Sequence, residues 1–492
     1  MYSISGSALL KLLAENGLLQ SADASFAPLI FRSLSFDSRQ AMTEGLFFCK
    51  GARFKAEYLA QAQANGAVAY LAERRLDSEL PCAIVSDMQR VLALAAAAFY
   101  DYPQRSLRLF GVTGTNGKTT VVYNLVNMLQ AAYGQRPAFT STADCFDGTS
   151  PFEIALTTPE ASVIHELLAH ARESGTENVV MECSSQGEKA HRLEGLHFDY
   201  GVFTNVTPDH IAPQECHSFE EYMSYKLNIV RRYDNAVINA DDPHCDDAVK
   251  AAENANRIVT YSLHESSGAG VYARDIRRDG LTTCFTVVTP AWEREMTLSR
   301  PGLFNVSNAL AACAVGYMME LDPQRIIEGI EAVAVPGRMQ YFERNGYRVF
   351  VDFGHNRASV TEACRTIKEL FPDASLQILF GCSGINAIHR RWELPQCAAP
   401  YCSHMYITTE DPFYADPQAV VDEITEYVRQ LGCPYTAIVD REECVRTAVA
   451  RMQRENVLLV TTKGAETYIK VRDEMVPYKG DPTVVEEALS KK

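Results

Sequence analysis

The sequence predicts an α/β protein of about three domains, and three observations carry that expectation. At 492 residues the chain is too long to close around a single core. The stretch Leu107–Thr120, LRLFGVTGTNGKTT, reads as a buried strand, a glycine loop and the start of a helix. Apolar strand patterns alternate with helical ones in two successive series, which is how mostly parallel sheets with helices on both faces are written.

Composition narrows the class. A hydrophobic share of 47% with 22% charged residues belongs to ordinary globular chains and excludes disorder. A net charge of −16 opposes nonspecific nucleic-acid binding but leaves room for local basic pockets. The fourteen cysteines are scattered from Cys49 to Cys444 with no CxxC pair, the usage of reduced thiols in a cytoplasmic protein. No apolar run spans a bilayer, and MYSISGSALLKLLAENG has neither a basic leader nor a cleavage site. A cytoplasmic location is expected, with no membrane and no nucleic acid among the partners.

The first unit is expected over 1–104. It opens on a short apolar helical pattern and has a turn-rich centre, SFDSRQAMTEGLFFCKGARFKAEYL, in which Phe47 and Phe48 read as core strand. Ser38, Asp37, Arg39 and Lys50 lie on polar loop edges and, taken alone, read as turn chemistry. Proline in DYPQR (Asp101–Arg105) marks the boundary.

The second unit, 105–334, begins with the glycine loop. Backbone N–H groups of Gly114, Thr115, Asn116 and Gly117 can turn toward an anion at the start of the helix that Lys118, Thr119 and Thr120 open. Lys118 can reach terminal phosphates, and Thr119 offers a hydroxyl to Mg²⁺. Val112 stands where the first glycine of the usual spacing belongs, so the cradle is a variant form. Strands are expected at Asn178–Met181, near Tyr200–Asn205 and at Asn235–Asn239, with a helix over Ala161–Glu173. Polar groups cluster at their carboxyl ends, where such sheets bind ligands: Glu182 and Ser184, then Asn205, Asp209 and His210. Glu182 is the best candidate for a hard-cation ligand, and His210 lies near a second carboxylate.

The third unit, 335–492, follows a glycine-led helix (PGLFNVSNALAACAVGYMM) and a linker at VPGRM. Its expected strands are RVFVDF, LQILFGC, HMYITT, TAIVD and NVLLVTT, with helices at Ser359–Phe371, Pro417–Leu431 and Glu442–Arg454. Polar strand ends recur at Asp352 and His355, Glu410 and Asp411, and Lys463 and Glu466.

Eight words in the sequence together resemble the Mur ligases, ATP-dependent enzymes of peptidoglycan precursor synthesis. They are DSR (Asp37–Arg39), GTNGKTT (Gly114–Thr120), TTPE (Thr157–Glu160), MECSSQ (Met181–Gln186), FTNVTPDH (Phe203–His210), FNVSNA (Phe304–Ala309), PGRM (Pro336–Met339) and VDFGHN (Val351–Asn356). The pattern is most similar to the tripeptide-synthetase (MurE-type) branch, which adds a diamino acid to UDP-N-acetylmuramoyl-L-alanyl-D-glutamate. That resemblance implies a UDP-binding domain, a central P-loop ATPase domain and a C-terminal Rossmann-like domain, acting as a monomer in cell-wall biogenesis, cell shape and division. It implies that Ser38 holds the uridine end and that Thr157, Thr158, Ser184 and Arg192 hold the muramoyl peptide. Lys118, Thr119, Glu182 and His210 would serve ATP and Mg²⁺, with Asn305, Arg338, Asp352 and His355 on the nucleotide from the closing side. Lys226, an ordinary solvated helix lysine by itself, matches the family lysine that is carbamylated into an anionic Mg²⁺ ligand.

Three departures concern the amine. Relatives that take meso-diaminopimelate carry Asp-Asn-Pro-Arg, whose arginine grips the distal carboxylate; here the segment is Glu410-Asp411-Pro412-Phe413. Phenylalanine cannot make that contact, and the acids favour a distal ammonium, so L-lysine is expected, with meso-diaminopimelate and L-ornithine as alternatives. Gly-Lys-Gly-His-Glu appears as Thr462–Glu466, TKGAE, where Glu466 remains for an amino group. In the loop Gly381–Arg391, Asn386 replaces a commoner lysine or aspartate, and Arg391 is expected to take the phosphate or carboxylate side. A folylpolyglutamate-synthase-like ligase and a non-catalytic scaffold paralogue are the readings from other classes.

Overall fold

In the computed structural model, described for residues 2–51, 54–152, 156–212 and 215–492, three sheets follow one another along the chain. The first has five strands in the order 19–22, 82–85, 67–72, 45–48, 33–35 among the described residues. Phe47 and Phe48 are fully buried in it, as their strand pattern requires.

The central sheet is the largest, with eleven strands among the described residues. Its core is parallel from Ala138–Thr140 across to Val271–Asp279. Strand Arg108–Thr113 sits between Asn178–Glu182 and Tyr200–Phe203, so the chain winds away from it in both directions. That reversal opens a crevice at the strands' carboxyl ends, where the glycine loop lies. Three expected strands are present, Asn178–Glu182, Tyr200–Phe203 and Asn235–Asn239, as is the helix Ala161–Glu173. The antiparallel meander over 271–298 that extends one edge was not legible as part of the same sheet. Its alternation of exposed and buried residues is that of a sheet wetted on one face, and it packs on the helix Leu303–Met318.

The third sheet runs in the order 340–344, 347–351, 456–460, 375–380, 402–407, 435–437, parallel except for its first strand. Buried Arg441 pairs with buried Asp481 at 2.7 Å and also donates to the carbonyls of Thr409 and Thr461. It thereby ties together two of the segments that carry polar site residues. All fourteen cysteines are free thiols, in keeping with their scatter. Among the described residues no helix is long and apolar enough to cross a membrane.

Candidate active site

A cleft of about 710 Å³ lies where the carboxyl ends of the central and third sheets face each other. From the central sheet it is lined by residues 115–120, Glu182, His210 and Lys226, and from the third by Arg338, Asp352, His355, Glu410, Asp411, Phe413 and Glu466.

The glycine loop is held by side chains from the neighbouring strand end. Thr204 and Asn205 donate to the carbonyl of Asn116 at 2.7 and 3.0 Å, and the Asn205 carbonyl accepts from Thr115 N–H at 2.8 Å. Gly114 is required here: it has φ +149°, and a Cβ on it would stand 1.8 Å from Thr204 Oγ1. Helix Lys118–Tyr133 then starts from Gly117, which takes a left-handed φ of +88°, while the N–H groups of Thr115 and Asn116 are held by Asn205. Lys118 Nζ folds back onto the carbonyls of Gly114 and Thr115, both at 3.1 Å, with Glu182 at 3.9 Å.

Around Glu182 the donors are dense. Thr119 Oγ1 donates to it at 3.0 Å, and Thr142 donates through both its N–H and its hydroxyl, at 3.0 and 3.1 Å. Arg338, from the segment entering the third sheet, donates to Thr119 Oγ1 at 3.1 Å and stacks over Phe353. Thr119 and Glu182 thus present hard oxygen donors beside the loop, the chemistry a magnesium ion takes. No group of three or more His, Cys, Asp or Glu among the described residues forms a metal cage, so such an ion would take the rest of its ligands from a phosphate or a modified side chain.

Lys226 stands closest to such a modification. It is 1% exposed, its Nζ donates to the Gly114 carbonyl at 2.6 Å, and the Tyr222 ring lies 4.5 Å away. Burial lowers its ammonium well below the usual lysine value, and the charge on Lys118 adds to the effect. Among the described residues no carboxylate forms an ion pair with it; its contacts are the Gly114 carbonyl and the Tyr222 ring.

His210 has φ +54° and shares a 2.6 Å hydrogen bond between Nδ1 and Glu215 Oε1. Beside it, buried Asp209 pairs with Arg390 and accepts from Asn356 Nδ2 at 3.0 Å. Burial alone would push Asp209 up, but Arg390 and the two histidines, His210 and His355, hold it well below the usual carboxylate range. Glu215 also accepts from the Ala387 N–H at 3.2 Å. These contacts clasp the loop after Tyr200–Phe203 to the third sheet.

At the other end of the cleft, Lys463 is fully buried between Asp411, at 2.8 Å, and Glu466, at 2.5 Å. Burial opposes its charge, yet the two carboxylates outweigh burial and raise it. Burial, with Asp411 adjacent, pushes Glu410 up to about 7, although Arg390, Lys463 and Arg441 pull the other way. Asp352 is pushed up to about 6 by burial, and His355 down to about 3 by burial and by Arg390. Phe413 takes φ +51°, held by its N–H to the Lys470 carbonyl at 3.0 Å and by Arg472 N–H to its own carbonyl at 2.7 Å.

Of the residues expected to bind the muramoyl peptide, Thr157, Ser184 and Arg192 line the cleft. Thr158 is buried behind them, donating to the Glu182 carbonyl at 2.9 Å and sharing a 3.0 Å hydrogen bond with Ser184. Arg192 pairs with Glu160 at 3.2 Å, and Glu160 pairs in turn with Lys50 of the first unit at 2.6 Å. Ser38 lies outside the cleft; buried, it donates to Gln61 at 2.8 Å.

Two expectations are corrected. Asn305 does not line the cleft: its amide donates to the Pro301 carbonyl at 2.7 Å and it is 2% exposed, while Phe304, Ser307 and Asn308 face the cavity. Arg391 does not reach the site either, because it is spent on Glu423 and on the carbonyls of Ser383 and Gly384. Successive residues of a helix project about 100° apart, so in Arg390–Ala398 it is Arg390 that turns into the cleft. Adjacent arginines cannot be told apart without the helix phase. Thr142 and Asn356 bond partners distant in sequence, Glu182 and Asp209, and only the fold shows them, whereas Glu215 bonds His210 five residues away through the tight loop between them.

The comparisons agree with this architecture. The model of the Mur ligase middle domain matches residues 112–316, and that of the Mur ligase, glutamate ligase domain, matches 337–464. The chain is 33% identical over 468 residues to the UDP-N-acetylmuramoyl-L-alanyl-D-glutamate–L-lysine ligase of Streptococcus pneumoniae, covering 94% of each. It is 32% identical over 511 residues to the UDP-N-acetylmuramyl-tripeptide synthetase of Lactobacillus delbrueckii subsp. bulgaricus, covering 99% of each. Among solved structures, a UDP-N-acetylmuramoyl-L-alanyl-D-glutamate–2,6-diaminopimelate ligase superposes with a TM-score of 0.65 at 24% identity, covering 100% of this chain and 99% of that one. MurF from Acinetobacter baumannii gives 0.65 at 17% identity over 99% of both chains; at these identities the likeness speaks for the fold. With both domain models matched over most of the chain, this protein belongs to the Mur ligase family.

Proposed function

We propose that this enzyme adds L-lysine to UDP-N-acetylmuramoyl-L-alanyl-D-glutamate at the expense of ATP. The observation that carries the proposal is the shared cleft: the phosphate cradle and the acidic segment Glu410–Phe413 line one cavity. The domain limits that go with it are 1–104, 105–334 and 335–492.

A carboxylate is a poor acylating agent. Its oxygen therefore attacks the γ-phosphate of ATP first, and the resulting acyl phosphate offers a good leaving group to the amine. Lys118 and the N-terminus of the helix Lys118–Tyr133 hold the transferring phosphoryl group, with Arg338 beside Thr119. Magnesium, when bound, would neutralise charge on the phosphates, held by Thr119, Glu182, His210 and a carbamylated Lys226. Arg192, Ser184 and Thr157 hold the peptide so that its carboxylate meets the phosphate. The clasp of Asp209 on Arg390 and Asn356 keeps the third sheet against the cradle, which excludes water from the acyl phosphate.

Lysine is favoured over diaminopimelate because Phe413 offers no donor to a distal carboxylate, while Glu410 and Asp411 bring acidic side chains to the same end of the cleft. The test is turnover: purified enzyme with ATP, Mg²⁺ and the UDP-muramoyl dipeptide, given L-lysine, L-ornithine or meso-diaminopimelate separately, with ADP and new peptide measured. Lysine is expected to be used best; silence with all three overturns the ligase assignment, and a preference for diaminopimelate overturns the choice of amine.

A further inference from the structure

An incoming amino acid brings an α-carboxylate as well as its amines, and that charge needs a cation in a site this acidic. Arg391 is spent on Glu423 and on the carbonyls of Ser383 and Gly384, Arg390 is paired with Asp209, and Lys463 is shared by Asp411 and Glu466. Among the described residues at the amine end of the cleft, one cation remains. Lys470 lines the cavity, and no carboxylate pairs with its ammonium among the described residues; the contact recorded for that ammonium is the face of Tyr468, 5.6 Å from the ring centroid.

Its position is fixed by the acidic segment itself. The Lys470 N–H donates to Asp411 Oδ1 at 3.0 Å, and its carbonyl accepts from the Phe413 N–H at 3.0 Å. Phe413 and Val471 also form a parallel β-bridge. The strand Tyr468–Val471 and the segment Glu410–Phe413 are therefore tied together, and Glu410 and Lys470 both line the cavity.

We propose that Lys470 anchors the α-carboxylate of the incoming amino acid and so selects an amino acid over a plain diamine. The proposal rests on the lysine-ligase reading. An ammonium in a partly desolvated cleft makes a charge-assisted hydrogen bond to a carboxylate, and a methionine at the same place keeps the stem without the charge.

The test compares wild type, Lys470→Met and Lys470→Arg in lysine ligation, with 1,5-diaminopentane, which is lysine without its carboxylate, as a competitor. In Lys470→Met the KM for L-lysine is expected to rise about 10- to 100-fold, as loss of one charge-assisted contact implies. The KM for ATP and the inhibition constant of 1,5-diaminopentane are expected to stay at wild-type values, and Lys470→Arg is expected to recover most of the affinity for lysine. An unchanged KM for lysine in Lys470→Met overturns the proposal, as does a parallel loss of affinity for the diamine. A wild-type enzyme that turns over no amino acid overturns the ligase reading instead.

Discussion

Lys226 and Lys463 are both buried ammonium groups, 1% and 0% exposed, at opposite ends of one cleft, and their surroundings are opposite. Lys463 has a carboxylate on either side and is held charged, whereas Lys226 has a backbone carbonyl and an aromatic ring and is pushed toward the neutral amine. Burial opposes the charge on both. The partners decide: two carboxylates raise Lys463, whereas the neighbouring charge of Lys118 lowers Lys226 further.

The largest effect expected is at a third lysine between them. If its ammonium serves the transferring phosphoryl group as proposed, Lys118→Ala should lower ATP-dependent ligation by about a thousandfold or more while leaving the far-UV circular dichroism unchanged, since its contacts are with the glycine loop and not with the core. Wild-type ADP release from that variant would remove the cradle from the chemistry.

The paired substitutions Lys463→Met and Lys226→Met address the contrast directly. Removing Lys463 strands Asp411 and Glu466 and should cost about 3–5 kcal/mol, seen as a lowered thermal midpoint. Lys226→Met replaces a buried amine that no carboxylate pairs with among the described residues, so in CO₂-free buffer its midpoint should equal or exceed that of wild type although ligation is lost. Equal losses of stability would show that the two environments do not differ as described.

Glu410→Gln sharpens the comparison through pH. The carboxyl rises from its ordinary 4.5 to about 7 on folding, so between those values the folded state binds more protons than the unfolded one. Stability is then expected to fall as pH rises through that window, and Glu410→Gln should flatten the decline in denaturant titrations. The same variant should weaken lysine use above pH 7, where wild-type Glu410 is ionised. An unaltered pH profile of stability would mean that Glu410 does not titrate in this range.

Phe413→Arg carries the smallest effect. A cation restored at that place should shift the ratio of kcat/KM for diaminopimelate over lysine upward by about tenfold, and an unchanged ratio would show that the position does not set the choice.

The sequence alone determined the glycine loop, the sheet series and the polar strand ends that line the cleft. Those features are local: a strand, a glycine at φ +149° and a helix start lie within a few residues, and polar residues at parallel strand ends converge wherever the sheet is built. Tertiary structure decided what depends on direction and partnership. It turned Arg390 inward and Arg391 outward, capped Asn305 on Pro301, placed Glu215 on His210, and gave Lys463 two acids but Lys226 none. Residue type and spacing specify which groups are available at a strand end, but their charge and role follow from neighbours far away in the chain, which only the folded packing supplies.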